Sequence, residues 1–210
     1  MIANDDWAVA AEQRVLDAAL KLAPTRGWGR AMTLAAVKAA GLSEADGELL
    51  LPNGPRDLAA LLSRRHDAAA LAALPDPGTL KIRERIRAAV VARLDAAQAD
   101  REAARRWAGF LALPTSLPLA LRLLWESADA LWRWAGDTAT DENHYSKRAI
   151  LSGILIQVTA LDLELGRVEA LAALDARIQN VMDFEKWKAG FKPSDLAKDF
   201  VGALARVRFG

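Results

Sequence analysis

Cysteine is absent from this 210-residue chain, and histidine occurs only twice, as His66 and His144. The chain therefore forms no disulfide, and thiol catalysis and cysteine-based zinc or iron–sulfur sites are excluded. It also lacks the HExxH, GxSxG and P-loop patterns, which position a metal, a nucleophile or a phosphate. We accordingly expect a protein with no catalytic residues, no metal site and no cofactor.

An excess of either charge is missing as well, because 28 Lys and Arg residues nearly balance 27 Asp and Glu residues. The average surface is therefore not that of a nucleic-acid-binding protein. The uncharged run 149–161 contains three polar residues and is shorter than the roughly 20 residues that a membrane-spanning helix requires. The acidic N-terminal residues resemble neither a secretory signal nor a transit peptide, so we expect a cytoplasmic chain.

The residues that are abundant, Ala and Leu, recur at spacings of three and four, while β-branched residues are sparse. This pattern predicts an all-α fold. The densest cluster of helix breakers, residues 75–78, predicts a boundary between a small head (1–74) and a larger body (79–192), with a C-terminal amphipathic helix at 193–210. The predicted helices span residues 8–23, 31–40, 43–50, 55–73, 80–98, 99–111, 117–135, 141–165, 168–184 and 194–207.

The head has the pattern of a helix-turn-helix domain. The segments RVLDAALKLAPTRGW, TLAAVKAAGLS and LPNGPRDLAALL resemble the N-terminal domain of the TetR repressor family. The helix that would enter DNA, however, carries Glu44, Asp46 and Glu48 and no basic residue. Because phosphate contacts supply most of the affinity for DNA, we expect a head that keeps the fold without binding nucleic acid. The alternative is a TetR-type regulator that binds DNA through other residues and senses a hydrophobic ligand.

The helix LRLLWESADALWRW, Leu121–Trp134, has one charged and one apolar face. Spacings of four predict two ion pairs on the charged face, Arg122–Glu126 and Asp129–Arg133. The aromatic rings of the apolar face can enclose an isoprenoid or acyl tail, or they can simply fill the core or a dimer interface. Together with the apolar helix that follows, this face supplies the candidate lipid-binding residues Leu121, Trp125, Ala128, Leu131, Trp132, Ile150, Ile154 and Val158.

The start of the next helix concentrates polar side chains. Asp141, His144, Tyr145 and Arg148 are spaced to crowd one exposed end of an otherwise apolar helix. A catalytic role for His144 with Asp141 lacks a nucleophile and a metal set. Tyr and Arg are the residue types that often dominate protein interfaces, so we expect these four residues to bind a protein partner.

The stretch from Gly136 to Arg148 carries a closer resemblance. It supplies, in register, six positions of the pattern Gly-Asp-x-Ser-Thr-Asp-x-x-Trp-Tyr-x-x-Arg, namely Gly136, Asp137, Thr140, Asp141, Tyr145 and Arg148. This pattern, with the later LDARIQNVMDFEK, resembles the coenzyme Q biosynthesis proteins of the Coq-nine type, a TetR-like lipid-binding family. His144 stands where that family has Trp, and Ala139 where it has Ser, so the details of partner contact differ.

The resemblance implies a non-enzymatic homodimer that holds an isoprenoid or quinone lipid in its body. It further implies that the protein lies peripherally on the inner membrane of a bacterium, on the cytoplasmic side. There it would present quinone precursors to the di-iron quinone hydroxylase of the ubiquinone pathway.

The C-terminal segment combines aromatic, basic and apolar residues in the way that an interfacial membrane anchor requires. Its alternative role is a terminal helix that docks on the protein's own body. The candidate membrane-binding residues are Trp187, Phe191, Leu196, Phe200 and Leu204.

Overall fold

The computed structural model describes residues 2–138, 140 and 142–190, without the side chains of 2–5, 142–143 and 181–190. Within these residues the chain forms nine α-helices and no strand, which confirms the predicted all-α, TetR-like fold. The predicted helix 194–207 lies outside the described residues. The helices are α1 Ile2–Arg26, α2 Arg30–Ala39, α3 Glu44–Leu50, α4 Pro55–Ala73, α5 Ile82–Gln98, α6 Arg101–Leu111, α7 Leu117–Trp134, α8 Glu142–Glu164 and α9 Arg167–Gly190.

Three predicted helix ends are wrong: α1 begins at Ile2 and not at residue 8, α9 ends at Gly190 and not at residue 184, and α1 continues beyond residue 23. Pro24 lies inside α1, which continues to Arg26. A proline cannot donate to the carbonyl of the residue four positions earlier, so α1 lacks one hydrogen bond here, yet the helix continues for two more residues. The helix ends instead at Gly27, which has a φ of +74°, a conformation that glycine adopts readily. The Gly27 N–H donates to the Ala23 carbonyl at 2.9 Å.

The head consists of α1–α4, and its short acidic helix α3 begins with a capping box. The Asp46 N–H donates to Ser43 Oγ at 3.1 Å, and the Ser43 N–H donates to Asp46 Oδ2 at 3.2 Å. The Ser43 hydroxyl and amide hold the pKa of the Asp46 carboxyl below its ordinary value. Asp46 therefore starts the helix, whereas Glu44 and Glu48 are exposed.

Gly47 allows α3 to approach α2 closely. A Cβ atom at this position would lie 2.6 Å from Val37 Cγ1 and 2.9 Å from Val37 Cγ2. We expect Gly47→Ala to destabilise the fold by about 1–3 kcal/mol, because the added methyl group overpacks this contact. Gly153 in α8 is the matched control, since its Cβ would meet nothing within 4 Å and Gly153→Ala should stabilise the fold by about 0.5–1 kcal/mol. Urea unfolding of both variants measures the difference, and equal effects would contradict the close approach.

The body packs against the head through a shared core. Trp107 of α6 belongs to the same apolar cluster as Leu16 and Leu62 of the head, and its indole N–H donates to the Ala59 carbonyl at 3.0 Å. A second cluster lies among α5, α7, α8 and α9. The turn Pro77–Thr79 separates α4 from α5 where the boundary was predicted, but the head's core is completed by α6 and the start of α7.

Candidate functional site

Three aromatic rings meet on the surface where α7 faces the first turn of α8. The ring centroid of Trp125 lies 6.1 Å from that of Tyr145 and 6.4 Å from that of His144, and the His144 and Tyr145 rings are 5.2 Å apart. Tyr145 is 64% exposed. These three residues, called the aromatic patch below, form a partly exposed aromatic surface from which Tyr145 presents a polar tip.

The end of α7 places a carboxylate beneath this patch. The Asp137 N–H donates to the Trp132 carbonyl and the Gly136 N–H to the Arg133 carbonyl, both at 3.0 Å, which is the Schellman arrangement. Gly136 has a φ of +90°, a conformation that other residues rarely adopt. The Gly-Asp pair thus reverses the chain and directs Asp137 towards α8.

Arg148 holds this junction together from inside. Its Nε donates to Asp129 Oδ1 at 2.6 Å, and its Nη1 donates both to Asp137 Oδ2 and to the His144 carbonyl at 3.0 Å. Burial acts to lower the pKa of Arg148, but the hydrogen bonds and charges of Asp129 and Asp137 raise it. The guanidinium therefore stays charged and joins α7, the turn after it and α8.

Arg148 is consequently not part of the exposed surface that its spacing predicted. Only 1% of the residue is exposed, because two carboxylates compensate its charge and allow burial. Tyr145 is exposed as predicted, His144 is half-buried, and Asp141 lies outside the described residues. The ion pairs predicted along α7 are present, with 3.3 Å between Arg122 Nε and Glu126 Oε1 and 2.8 Å between Arg133 Nε and Asp129 Oδ2.

An apolar cavity of about 300 Å³ lies among α4–α8. Three large apolar residues of its wall, Leu117, Leu121 and Ile156, are about half exposed and form its mouth. Volume and composition suit a small amphipathic molecule. We call it the leucine cavity; its wall also includes Ser63, Arg93, Leu94, Ala104, Trp107, Ala108, Leu111, Ala120, Leu124, Ser127, Leu155 and Thr159.

A second concave region of about 500 Å³ lies at the C-terminal end of α7, against α5, α8 and α9. Trp132 lines it, donates from its indole N–H to the Lys147 carbonyl at 3.1 Å, and lies under the Lys147 ammonium, which is 5.4 Å from the ring centroid. Lys147 is also paired with Asp137 at 2.6 Å. This tryptophan groove has apolar walls and a cationic rim that includes Arg83 and Arg85.

The eight candidate lipid-binding residues lie in four different places. Leu121 forms part of the leucine cavity, whereas Trp125 belongs to the aromatic patch. The tryptophan groove contains Trp132, Ile150 and Ile154, and the buried core contains Ala128, Leu131 and Val158. The structure thus distributes these residues instead of gathering them around one pocket.

The candidate membrane-binding residues cannot be placed, because Phe191, Leu196, Phe200 and Leu204 lie outside the described residues and the side chain of Trp187 is not described. Among the described helices, none alone has the length and apolar composition of a membrane span. Helix α6 and the segment Pro114–Trp134, which meet at a 90° bend, reach that length and composition only when taken together. The described part of the chain also contains no group of three acidic or histidine side chains that could hold a metal ion.

Comparison with known proteins identifies the family. Residues 117–185 match the COQ9 family model. The mitochondrial ubiquinone biosynthesis protein COQ9 of Rattus norvegicus is 31% identical over 187 residues, which cover 82% of this chain and 59% of that protein. The chain is a COQ9-type protein. COQ9-B of Xenopus laevis is 31% identical over 154 residues, or 68% of this chain and 52% of that protein, and COQ9 of Bos taurus is 33% identical over 151 residues, or 68% and 47%.

The chain spans about half the length of the curated relatives that it matches. The COQ9 match begins at the first residue of α7 and extends into α9, so it contains the aromatic patch and Arg148 with both of its carboxylates. The α4, α5 and α6 walls of the leucine cavity lie outside the matched segment.

Sequence reasoning missed the residues that act between helices in this COQ9-type chain. The sequence predicted an ion pair of Asp129 with Arg133 alone, yet the Asp129 carboxylate also accepts a hydrogen bond from Arg148. Ser63 and Arg93 of the cavity were not selected, because no local pattern connects α4 and α5 with α7.

Proposed function

We propose that the protein is a non-enzymatic, lipid-binding accessory protein of ubiquinone biosynthesis. The names of its relatives, which are ubiquinone biosynthesis proteins, support the pathway. The leucine cavity supports lipid binding and is the observation that carries the proposal, because its mouth exposes Leu117, Leu121 and Ile156 to about half of their surface. Exposed apolar residues around an apolar cavity are costly in water unless an apolar molecule or surface covers them.

The aromatic patch is the surface that we assign to a protein partner, the di-iron quinone hydroxylase of the pathway. Tyr145 projects from the patch, and Arg148 fixes the backbone beneath it through the His144 carbonyl. A rigid aromatic residue loses little conformational entropy when it is buried, which is why tyrosine often dominates interfaces. Arg148 then acts by positioning the patch and does not itself contact the partner.

We expect Tyr145→Ala to leave the fold and lipid content unchanged and to weaken binding to the hydroxylase by about 2 kcal/mol, since the exposed ring would be central to the interface. His144→Trp should strengthen binding, because it adds ring area beside Trp125. Calorimetric titration of wild type and both variants against the purified hydroxylase measures these changes. Equal affinities for wild type and Tyr145→Ala would show that the patch is not the contact surface.

Homodimerisation and peripheral attachment to the inner membrane complete the proposal. Leu165 and Val168, at the junction of α8 and α9, are 65% and 77% exposed, which supports burial against a second subunit or a membrane. Binding of nucleic acid is not part of the proposed function, because Glu44 and Glu48 occupy the exposed face of α3.

A further inference from the structure

The leucine cavity has a mostly apolar wall that also includes the buried polar residues Ser63, Arg93, Ser127 and Asp162. Its buried wall contains Ser63, which is 2% exposed, and Arg93, which is 8% exposed, whereas Leu117 and Leu121 at the mouth are 52% and 55% exposed. Pockets that hold a purely apolar molecule do not require polar groups in their depth, since each unpaired group costs free energy. Buried polar groups in an otherwise apolar wall indicate a ligand with a polar end, and the exposed leucines at the mouth indicate that this end lies inside.

Arg93 is held in place with donors to spare. Its Nε donates to Asp67 Oδ1 at 2.6 Å, and the other oxygen of Asp67 accepts from Ser127 Oγ at 2.7 Å. Neither Nη of Arg93 makes a hydrogen bond to another described residue, and the Ser63 hydroxyl makes none within the same part of the chain. The cavity therefore contains oriented donors that the described protein groups do not use.

We propose that this buried end binds the oxygen-bearing head of an amphipathic lipid, with Arg93 donating to an acceptor oxygen and Ser63 bonding the same head. The apolar chain of the ligand then leaves through the mouth at Leu117 and Leu121. The proposal rests on lipid binding in the leucine cavity, as proposed above, and adds the orientation of the ligand and the chemistry of its head.

The charge of the site selects a neutral head. Asp67 already neutralises Arg93 at 2.6 Å, so a carboxylate or phosphate head would add a buried charge without a cation of its own. A phenol, a quinone or an alcohol accepts the same hydrogen bonds without that cost. A head held in this way is shielded from water and must be withdrawn through the mouth before another protein can act on it.

The test compares two probes that differ by one oxygen, 4-nonylphenol and 1-phenylnonane, by displacement of a fluorescent hydrophobic dye from the 210-residue chain. Wild type should bind the phenol about tenfold more tightly, as expected for hydrogen bonds to a charged donor. Arg93→Lys keeps the pairing with Asp67 and loses the Nη donors, while Ser63→Ala removes only a hydroxyl. Each variant should reduce the preference for the phenol to about threefold or less and leave binding of phenylnonane unchanged.

Thr159→Val is the matched control, because Thr159 lines the cavity but is only half-buried, and this variant should keep the full preference. Equal binding of the two probes by wild type would overturn the head-first orientation while leaving lipid binding itself intact. Undiminished preference in both Ser63→Ala and Arg93→Lys would overturn the assigned donors. Failure of both probes to displace the dye would overturn both this inference and lipid binding in the leucine cavity.

Discussion

Arg148→Ala should destabilise the protein by about 3 kcal/mol or more, the largest effect that we expect from a single substitution. The variant would remove a buried cation from the carboxylates of Asp129 and Asp137 and a donor from the His144 carbonyl. Lys147 and Arg133 remain as partners of the two carboxylates, which keeps the loss from being greater. Urea unfolding followed by circular dichroism measures the change.

Arg133→Ala is the matched control, because Arg133 pairs with the same Asp129 carboxylate from the solvent side, where its side chain is 72% exposed. An exposed pair of this kind contributes at most about 1 kcal/mol. The two variants therefore separate the effect of burial from the effect of pairing. Comparable losses for Arg148→Ala and Arg133→Ala would contradict the role of Arg148 as the internal link between α7 and α8.

Acid should destabilise the protein through His66. This histidine is 2% exposed, and neither ring nitrogen makes a hydrogen bond to the described part of the chain; an Asp100 carboxylate oxygen is 3.9 Å from Nε2. Burial, then the charges of Arg93 and Arg65, lowers the pKa of His66 from 6.5 to about 3. The unfolded chain thus binds a proton at a pH where the native protein does not, and stability is lost as the pH falls from 6.5 towards 3.

The free energy of unfolding should fall by about 2 kcal/mol between pH 7 and pH 5. This figure follows from a histidine pKa of 6.5 in the unfolded chain and about 3 in the native protein. His66→Leu should remove this contribution and flatten the pH dependence, because leucine of similar volume has no proton to bind. Unfolding free energies of wild type and His66→Leu at pH 7, 6 and 5 give the comparison. Parallel pH profiles would show that His66 is hydrated or charged in the native protein.

The helices were largely predictable from the sequence, because the residue patterns that specify them are local. Helix periodicity located all nine described helices, and spacings of four predicted the ion pairs Arg122–Glu126 and Asp129–Arg133. Such patterns depend on neighbours within a few residues of each other. The helix end at Gly27 was missed because Pro24 was taken as a stop, whereas α1 continues through it to Arg26.

The candidate site was less predictable, because helical spacing gives the face of a residue but not its neighbours on other helices. Trp125 and Trp132 are seven residues apart, and so lie on nearly the same face of α7 and about 10 Å apart along its axis. The Trp125 ring lies beside the rings of His144 and Tyr145, whereas the Trp132 ring lies under the Lys147 ammonium. The two tryptophans therefore belong to different surfaces.

Lipid extraction from the purified protein, followed by mass spectrometry, tests the central claim most directly. Wild type should carry an isoprenoid or quinone lipid, and Ala108→Phe should lose it, because the added ring would fill part of the roughly 300 Å³ leucine cavity. Ala45→Phe, on the exposed face of α3, is the control and should retain the lipid. Extracts without such a lipid, or with equal amounts from wild type and Ala108→Phe, would contradict lipid binding in this cavity.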